Sequence, residues 1–335
     1  MAQPTIKDVA KLAGVSISTV SRVMNKSKPV SPEAERKVLD AINKLGFKPN
    51  ELARSLVMKK SNSIGILVKD IGIHYMAEMI RGAEEIGRMY HYDILLSSTY
   101  GEDELERKSI DFLYRKQVEG VIIISENIEP ETIVRIKEYH LPYVLLDRFY
   151  KSSDLHTVTI RYRDAMEELT NYLLDLGNRK IVYLRSNLGF EMALEKAAGY
   201  DAGMKARGLT PVRVDAPGMG IDAGYQAGEE IEALFRKEAF DCLQCENDEL
   251  AAGILNYCYD HKITVPQTFQ VAGFGGMSFK QITRPRLTTV EEPYYDIGAV
   301  AMRALTKVLQ NDMPLNESLY LPTQILVGDS TEKRA

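Results

Sequence analysis

The sequence predicts an all-α N-terminal head followed by an α/β body that consists of two lobes with parallel sheets. Three observations support this fold class. Residues 1–48 contain three short helical segments, each preceded by a capping residue. From residue 61 onward, short apolar runs alternate with amphipathic segments, which is typical of βαβ units. A similar series begins again near residue 180, so the body is predicted to contain two related halves.

The first helix of the head is predicted from a capping box and an apolar repeat. In Thr5-Ile6-Lys7-Asp8, the Thr5 hydroxyl and the Asp8 carboxylate can satisfy free amide groups at a helix start. Apolar residues then recur at spacings of three and four, at Ile6, Val9, Ala10 and Ala13. Gly14 follows and suits the left-handed conformation of a helix end.

Two more helix starts follow in the head. Ser16 can cap a second helix in which Val20 and Val23 face inward. The tripeptide Ser31-Pro32-Glu33 marks a third start, and its apolar residues before Gly46 are Val38, Leu39, Ile42 and Leu45. Two short helices joined by a tight glycine turn and supported by a third form a helix-turn-helix, whose second helix enters the major groove of DNA. The alternative is a plain three-helix bundle with a basic surface.

The charge distribution separates the head from the body. Residues 1–60 contain 12 Lys and Arg against 5 Asp and Glu, whereas the other 275 residues contain 30 against 42. A basic segment suits a polyanion, because each cation that neutralises a phosphate releases a condensed counterion. The head is therefore expected to contact nucleic acid, and the acidic body is not.

Composition and motifs argue against several other classes of protein. The longest apolar runs have four or five residues, whereas a membrane span needs about 20, and no secretory signal is predicted. The expected compartment is therefore the reducing cytoplasm. The spacing of Cys242 and Cys245 would point their side chains to opposite faces of a strand, which disfavours a shared zinc ion. We predict no catalytic residue, no cofactor and no metal site.

Two runs of the head resemble the LacI/GalR family of bacterial transcription regulators. They are TIKDVAKLAGVSISTVSRVMN and SPEAERKVLDAINKLGFKPNELARSL. The resemblance implies that Ile17, Ser18 and Arg22 read base edges, with Arg22 as the candidate for a bidentate contact to guanine. It implies that other head residues hold phosphates and set the register, namely Thr5, Ser16, Thr19, Ser21 and Asn25.

Residues 49–60 resemble the hinge helix and linker of the same family. Asn50 can cap this short segment. The resemblance implies DNA contacts from Asn50, Ala53 and Leu56, with Leu56 as an apolar wedge between base steps of the minor groove. The alternative is that Leu52 and Leu56 simply cover the body.

Strands and helices of the body are predicted from the spacing of apolar runs. The first series has strands at residues 64–68, 93–97, 121–124 and 143–146, with helices near 77–90, 104–117 and 131–139; the second has strands at 180–184, 212–214, 240–245 and 269–274. Two such lobes suggest a ligand crevice between the carboxyl ends of their strands. The resemblance extends to about Val327 and implies the architecture of periplasmic sugar-binding proteins, with one lobe at 61–161 and 291–322 and the other at 162–290 and 323–335.

Nine residues are candidate effector contacts in this crevice: Asp70, Tyr75, Asp147, Arg148, Arg161, Lys196, Asn247, Asp248 and Phe274. The chain departs from the family pattern at several of them. It has Arg161-Tyr162 where the family often has Asp-Asn, and Lys196 where the family has Arg. These changes disfavour a neutral sugar and would allow Arg148, Arg161 and Lys196 to bind a phosphorylated metabolite. The alternative is that the three cations pair with nearby acids.

A helix near Tyr294 carries a second candidate control surface. At 100° per residue, Asp296, Val300, Arg303 and Lys307 share one exposed face. YDIGAVAMR, RMYHYDILLS and KQVEG resemble the catabolite control protein A branch of the family, in which the co-repressor is the phosphocarrier HPr phosphorylated on a serine. The resemblance implies contacts from Tyr295, Asp296, Val300, Arg303, Thr306 and Lys307, with Arg303 holding the phosphate. The chain departs from the branch at Thr323-Gln324-Ile325, where that branch tends to carry basic residues.

The sequence therefore predicts a homodimeric DNA-binding repressor of carbon and sugar metabolism genes, which binds a palindromic double-stranded operator and is co-regulated by serine-phosphorylated HPr. The alternative is a local sugar-operon repressor whose inducer is a sugar or sugar phosphate bound between the lobes. A third hypothesis is a sugar-processing enzyme with an added head, although the sequence contains neither a P-loop nor a nucleophile elbow.

Overall fold

The computed structural model describes residues 4–25, 28–47, 61–125, 129–146, 157–186, 191–276, 279–310 and 318–334. The chain divides into two units, residues 1–61 and 62–335. Five predicted site residues lie outside the described residues: Asn50, Ala53, Leu56, Asp147 and Arg148. Asn25 ends a described helix, but its side chain is not among the described atoms.

In the described part of the head, the predicted helices are confirmed as α1 (Ile6–Ala13), α2 (Ile17–Asn25) and α3 (Pro32–Leu45). Asp8 Oδ2 accepts hydrogen bonds from the amide and the hydroxyl of Thr5, at 2.8 and 2.7 Å. The Thr5 hydroxyl thus donates to Asp8. At the start of α2, Ser16 Oγ accepts from the Thr19 amide at 3.2 Å. Gly14 has a φ of +66°, the left-handed conformation expected at the end of α1.

The core of the head is small and aliphatic. Its buried residues are Val9, Ala10, Ala13, Val20, Val23, Val38 and Ala41. Leu39 is one of the apolar residues of α3, yet its side chain is 48% exposed. Leu39 lies about 100° around the helix from Val38, which places it outside the stripe that faces α1 and α2.

The first sheet of the body is parallel throughout. Its strands are β1 (Ser63–Val68), β2 (Asp93–Ser98), β3 (Gly120–Ile124), β4 (Tyr143–Leu146), β5 (Thr157–Ile160) and β11 (Leu319–Leu321), paired in the order β11-β5-β4-β3-β1-β2. The helices associated with it are α4 (His74–Met89), α5 (Asp103–Arg115), α6 (Pro130–Glu138) and α12 (Tyr294–Leu309). The four strands predicted for the first series are confirmed. Strands β5 and β11 were not predicted.

The second sheet repeats this arrangement with one exception. Its strands are β6 (Ile181–Ser186), β7 (Val212–Ala216), β8 (Cys242–Cys245), β9 (Gln270–Gly275), β10 (Thr288–Glu291) and β12 (Gln324–Leu326), in the order β12-β10-β9-β8-β6-β7. The β10–β12 pair is antiparallel. Its helices are α7 (Tyr162–Asp175), α8 (Glu191–Ala206), α9 (Ile221–Glu238), α10 (Asp248–Asp260) and α11 (Phe279–Ile282).

Within the body, the chain passes between the two sheets after β5, after β10 and after β11. We call these connections the first crossover (Arg161), the second crossover (Glu292 and Pro293) and the third crossover (Pro322 and Thr323). One apolar core contains residues of both sheets, such as Ile66 of the first and Phe274 of the second, so it is continuous between the two lobes. Each sheet also has its own core on its other face.

Candidate functional site

The exposed face of α2 carries the residues that the sequence assigns to base readout. Ile17 is 45% exposed, and Ser18 and Arg22 are also exposed. Val20 and Val23 are buried on the opposite side of the helix, against the rest of the head. The face therefore combines an apolar side chain, a hydroxyl and a guanidinium, which are groups that can contact base edges in a major groove.

Hydroxyl groups at the start of α2 form a connected set. Ser16 Oγ lies 2.8 Å from both Ser18 Oγ and Thr19 Oγ1, so one capping residue orients two neighbouring hydroxyls. Arg22 has no hydrogen-bond or ion-pair partner within residues 4–25 and the other described ranges. Its five donors are therefore available for a bidentate acceptor. Ser21 is half-buried and already has a polar interaction.

A cavity of about 180 Å³ lies between the two lobes of the body. It contains four of the predicted effector residues, Tyr75, Lys196, Asn247 and Phe274. The sequence reasoning missed the rest of the lining: Lys69, Ile73, Met192, Met219, Glu246, Glu249, Glu292 and Tyr294. Asn247 Oδ1 caps α10 by accepting from the Leu250 amide at 2.8 Å, so its amide nitrogen is not used in this cap.

The structure places three other predicted effector residues away from this cavity lining. Asp70 accepts a hydrogen bond from the Gly72 amide at 2.8 Å in the loop after β1. Arg161 is exposed, and its guanidinium lies 4.3 Å from the ring centroid of Tyr320. Asp248 is fully buried and accepts from the Thr289 hydroxyl at 2.6 Å. Arg161 and Lys196 thus have separate partners, and Arg148 lies outside the described residues, so the anion site of these three cations stays a prediction.

The buried cation of the cavity is paired with an acid. Lys196 is 3% exposed, and its Nζ lies 3.8 Å from Glu292 Oε1. Burial raises the pKa of Glu292 above its ordinary value, although the Lys196 ammonium opposes this shift. Burial likewise raises the pKa of Glu246, which accepts hydrogen bonds from the Ser186 amide and hydroxyl. The alternative reading, in which Lys196 pairs with an acid, matches this geometry.

One of the two missed acids could have been found from the sequence. Glu246 directly follows strand β8, which the sequence predicted, and ligands bind at the carboxyl ends of parallel strands in open α/β sheets. Glu292 directly follows strand β10, which the sequence did not predict. Its position in the crevice therefore follows only from the structure.

The predicted face of α12 is only partly exposed. Asp296, Arg303 and Lys307 are exposed, and Val300 is half-buried. Arg303 and Lys307 are one helical turn apart and have no hydrogen-bond or ion-pair partner in the described parts of the chain. The predicted surface residue Thr306 is not exposed. Its exposed fraction is 1%, and its hydroxyl donates to the Met302 carbonyl at 2.8 Å.

Helix α4 contributes to the same surface, which the sequence did not show. The Tyr295 hydroxyl donates to Glu85 Oε2 at 2.6 Å, and the Arg81 guanidinium lies 5.3 Å from the Tyr295 ring centroid. The hydrogen bond to the Glu85 carboxylate raises the pKa of Tyr295. The surface is therefore built from two helices, and Tyr295 is fixed in place at their junction.

Two cysteines lie on strand β8, and both are buried. Cys242 and Cys245 belong to different apolar cores on the two faces of β8, as the strand alternation predicted. Burial raises the pKa of both thiols, which disfavours the reactive thiolate. Among the described residues, there is no cluster of three or more His, Cys, Asp and Glu side chains that could bind a metal ion. None of the described helices combines the length and the apolar composition that a membrane span needs.

Comparison with known proteins assigns both parts of the chain to protein families. Residues 5–50 match the lacI family of bacterial regulatory proteins, and residues 170–331 match a periplasmic binding protein-like domain. The chain is 35% identical over 331 residues to catabolite control protein A of Priestia megaterium, which covers 98% of this chain and 99% of the relative. The HTH-type transcriptional regulator RegA of Clostridium saccharobutylicum gives the same identity and coverage.

Solved structures give the same fold. A lac repressor dimer bound to operator and the anti-inducer ONPF has a TM-score of 0.89 at 20% identity, covering 99% of this chain and 100% of that chain. The transcription regulator CcpA of Lactococcus lactis has a TM-score of 0.72 at 26% identity, covering 81% of this chain and 99% of that chain. The lac repressor match therefore shows the same fold over nearly the whole chain, and the CcpA match shows it over about four fifths of the chain.

Proposed function

The chain belongs to the lacI family of bacterial regulatory proteins and is a DNA-binding transcriptional regulator, and on this basis we propose how it binds DNA and how it is controlled. It acts as a homodimeric repressor of carbon and sugar metabolism genes in the cytoplasm. Two heads bind a palindromic operator, with α2 of each head in the major groove and the hinge residues 49–60 in the minor groove. Serine-phosphorylated HPr is the co-repressor.

The exposed face of α2 supports the DNA-binding part of the proposal. Arg22 is available for a bidentate contact, and the hydroxyls of Ser18 and Thr19 are held by Ser16. Two-fold symmetry of the dimer would fix the spacing of the two half-sites. The net positive charge of the head supplies the phosphate contacts, which are independent of sequence.

A single observation supports the phosphoprotein as co-regulator. Arg303 and Lys307 present two cations one turn apart on the exposed side of α12, without an ion-pair partner in the described ranges. A phosphate placed between them would form charge-assisted hydrogen bonds with both.

The interlobe cavity favours a second candidate function, that of a local sugar-operon repressor. Its volume of about 180 Å³ suits a small molecule, and Asn247 and Tyr75 offer a polar group and an aromatic face. A sugar would fit this lining better than a sugar phosphate, because the buried Lys196 is already paired with Glu292. In this second candidate, the small molecule releases the repressor from its operator.

A titration of operator affinity separates the two candidates. The full-length dimer first selects its operator from a random duplex library. Its Kd for that duplex is then measured with HPr phosphorylated on serine, with unphosphorylated HPr, and with glucose and glucose 6-phosphate. We expect phosphorylated HPr alone to tighten binding on the order of tenfold, a typical coupling between two sites.

Substitutions on α12 test whether the coupling passes through the predicted surface. The double substitution Arg303→Ala with Lys307→Ala should remove the HPr effect and leave the Kd without HPr unchanged. Lys237→Ala is the matched control, because it removes an exposed cation of the second lobe, 77% exposed, and should keep the full effect. An effect of glucose or glucose 6-phosphate together with no response to either form of HPr would overturn the co-repressor proposal and favour the second candidate.

A further inference from the structure

The three crossovers of the body are linked to one another by side chains. The Tyr162 hydroxyl, next to the first crossover, donates to Glu292 Oε2 of the second crossover at 3.1 Å. Gln324 Nε2, next to the third crossover, donates to Glu291 Oε2 at 2.5 Å. Glu292 thus lies in one of the three connections between the lobes and is hydrogen-bonded to the residue that follows another of them.

Lys196 forms an ion pair with Glu292 across the interlobe cavity lining. Besides its ion pair with Glu292, its Nζ donates to the Glu246 carbonyl at 3.4 Å. It also lies 4.1 Å from the ring centroid of Phe274 and 5.2 Å from that of Tyr162. A carboxylate, a carbonyl and two aromatic faces around an ammonium form the kind of site that binds a cationic ligand.

The ammonium lies where a ligand of a two-lobed protein would lie. Lys196 lines the interlobe cavity, together with Tyr75 from α4 of the first lobe and Phe274 from β9 of the second lobe. Lys196 belongs to α8, so a side chain of the protein occupies part of the region between the lobes. Removal of one partner from a buried ion pair is costly, because the remaining charge is left without compensation.

We propose that Lys196 is a built-in ligand of the interlobe cavity, whose ammonium positions Glu292 and so holds the lobes in their operator-binding arrangement without a bound small molecule. Lys196 is thus a positioning residue for the DNA-binding response. The inference rests on the proposed function only in its second half, in which the lobe arrangement sets operator affinity. The first half, the occupied cation site, is a property of the folded body.

Chemical rescue tests the occupied cation site. Lys196→Ala removes the atoms of an n-propylammonium ion and leaves Glu292 without its cation. We expect the melting temperature of the full-length dimer to fall by on the order of 5 °C. Addition of about 10 mM n-propylammonium should restore most of this loss, whereas 1-propanol, of similar size and uncharged, should not. Wild-type protein should respond to neither compound.

The same variant reports on operator affinity. Operator binding should weaken in Lys196→Ala and recover with n-propylammonium in parallel with the melting temperature. If n-propylammonium restored the melting temperature but not the operator affinity, the proposed effect of Lys196 on operator binding would be wrong. If n-propylammonium did not stabilise the variant, the proposal that the Lys196 ammonium occupies a cation site would be wrong. If the wild-type protein binds no operator, the proposed function is wrong. The rescue of the melting temperature then still tests whether the Lys196 ammonium occupies a cation site.

A second pair of variants covers the case in which Lys196→Ala does not fold. Lys196→Met keeps most of the side-chain volume and removes the charge, so it leaves a buried unpaired carboxylate. Adding Glu292→Gln to that variant should recover most of the lost melting temperature, because the unpaired charge is then also removed. Lys196→Arg should retain operator affinity because it keeps the cation. Equal melting temperatures for Lys196→Met with and without Glu292→Gln would contradict the proposed pairing.

Discussion

Replacing Gly298 with alanine is expected to destabilise the body by about 3 kcal/mol or more, at the upper end of the cost of overpacking. A Cβ added at Gly298 would lie 1.8 Å from the Met79 carbonyl oxygen of α4. A Cβ at Gly82 of α4 would lie 2.0 Å from the Tyr295 carbonyl oxygen of α12. The two helices thus approach through their backbones at both points, and a methyl group at either one must push them apart.

Urea unfolding of the full-length protein measures this effect. Gly218→Ala is the matched control, because its Cβ would lie 3.4 Å from the Ala223 Cβ, an ordinary contact. We expect the control to change the free energy of unfolding by no more than about 0.5 kcal/mol. Equal unfolding midpoints for the two variants would show that α4 and α12 can separate at little cost. Tyr295 depends on that helix pair, so Gly298→Ala should also disturb the co-regulator surface.

These glycines show which part of the fold could be read from the sequence. An internal glycine is visible in one helical segment of each lobe, at Gly82 of α4 and at Gly199 of α8. The helix that packs at Gly82 was predicted as an element, but its contact with α4 was not, because α12 lies far along the chain from α4 and returns to the first sheet only after β10. Local signals such as caps and apolar spacing predicted elements correctly, whereas their partners depend on contacts between distant segments.

The candidate site residues also fall into two groups, those predicted from local helix periodicity and those that depend on contacts between distant segments. The exposed residues of α2 follow from helix periodicity alone, and the structure places Ile17, Ser18 and Arg22 on the expected face. The partner of Lys196 could not be predicted, because Glu292 reaches it only through the order of strands in the second sheet. Thr306 was placed on the exposed surface but is buried, because the exposed side of α12 depends on where α4 and the first sheet pack against it.

Replacing Arg22 with alanine is expected to remove most of the preference for operator over random DNA. A bidentate contact to guanine contributes about 1–3 kcal/mol of discrimination, and a palindromic operator contains two such contacts. The operator Kd should therefore rise on the order of a hundredfold. Binding to random duplex should change much less, because phosphate contacts from the other cations of the head supply most of it.

The measurement compares Kd values for the selected operator and for a random duplex at one salt concentration, in both the wild type and the variant. Arg36→Ala is the matched control, because it removes an equal charge from an exposed position on α3, outside the recognition face. It should weaken binding to both duplexes by similar factors and leave their ratio intact. An unchanged ratio in Arg22→Ala would mean that the recognition face has been misassigned, whereas loss of the ratio in Arg22→Ala alone would place base readout at this side chain.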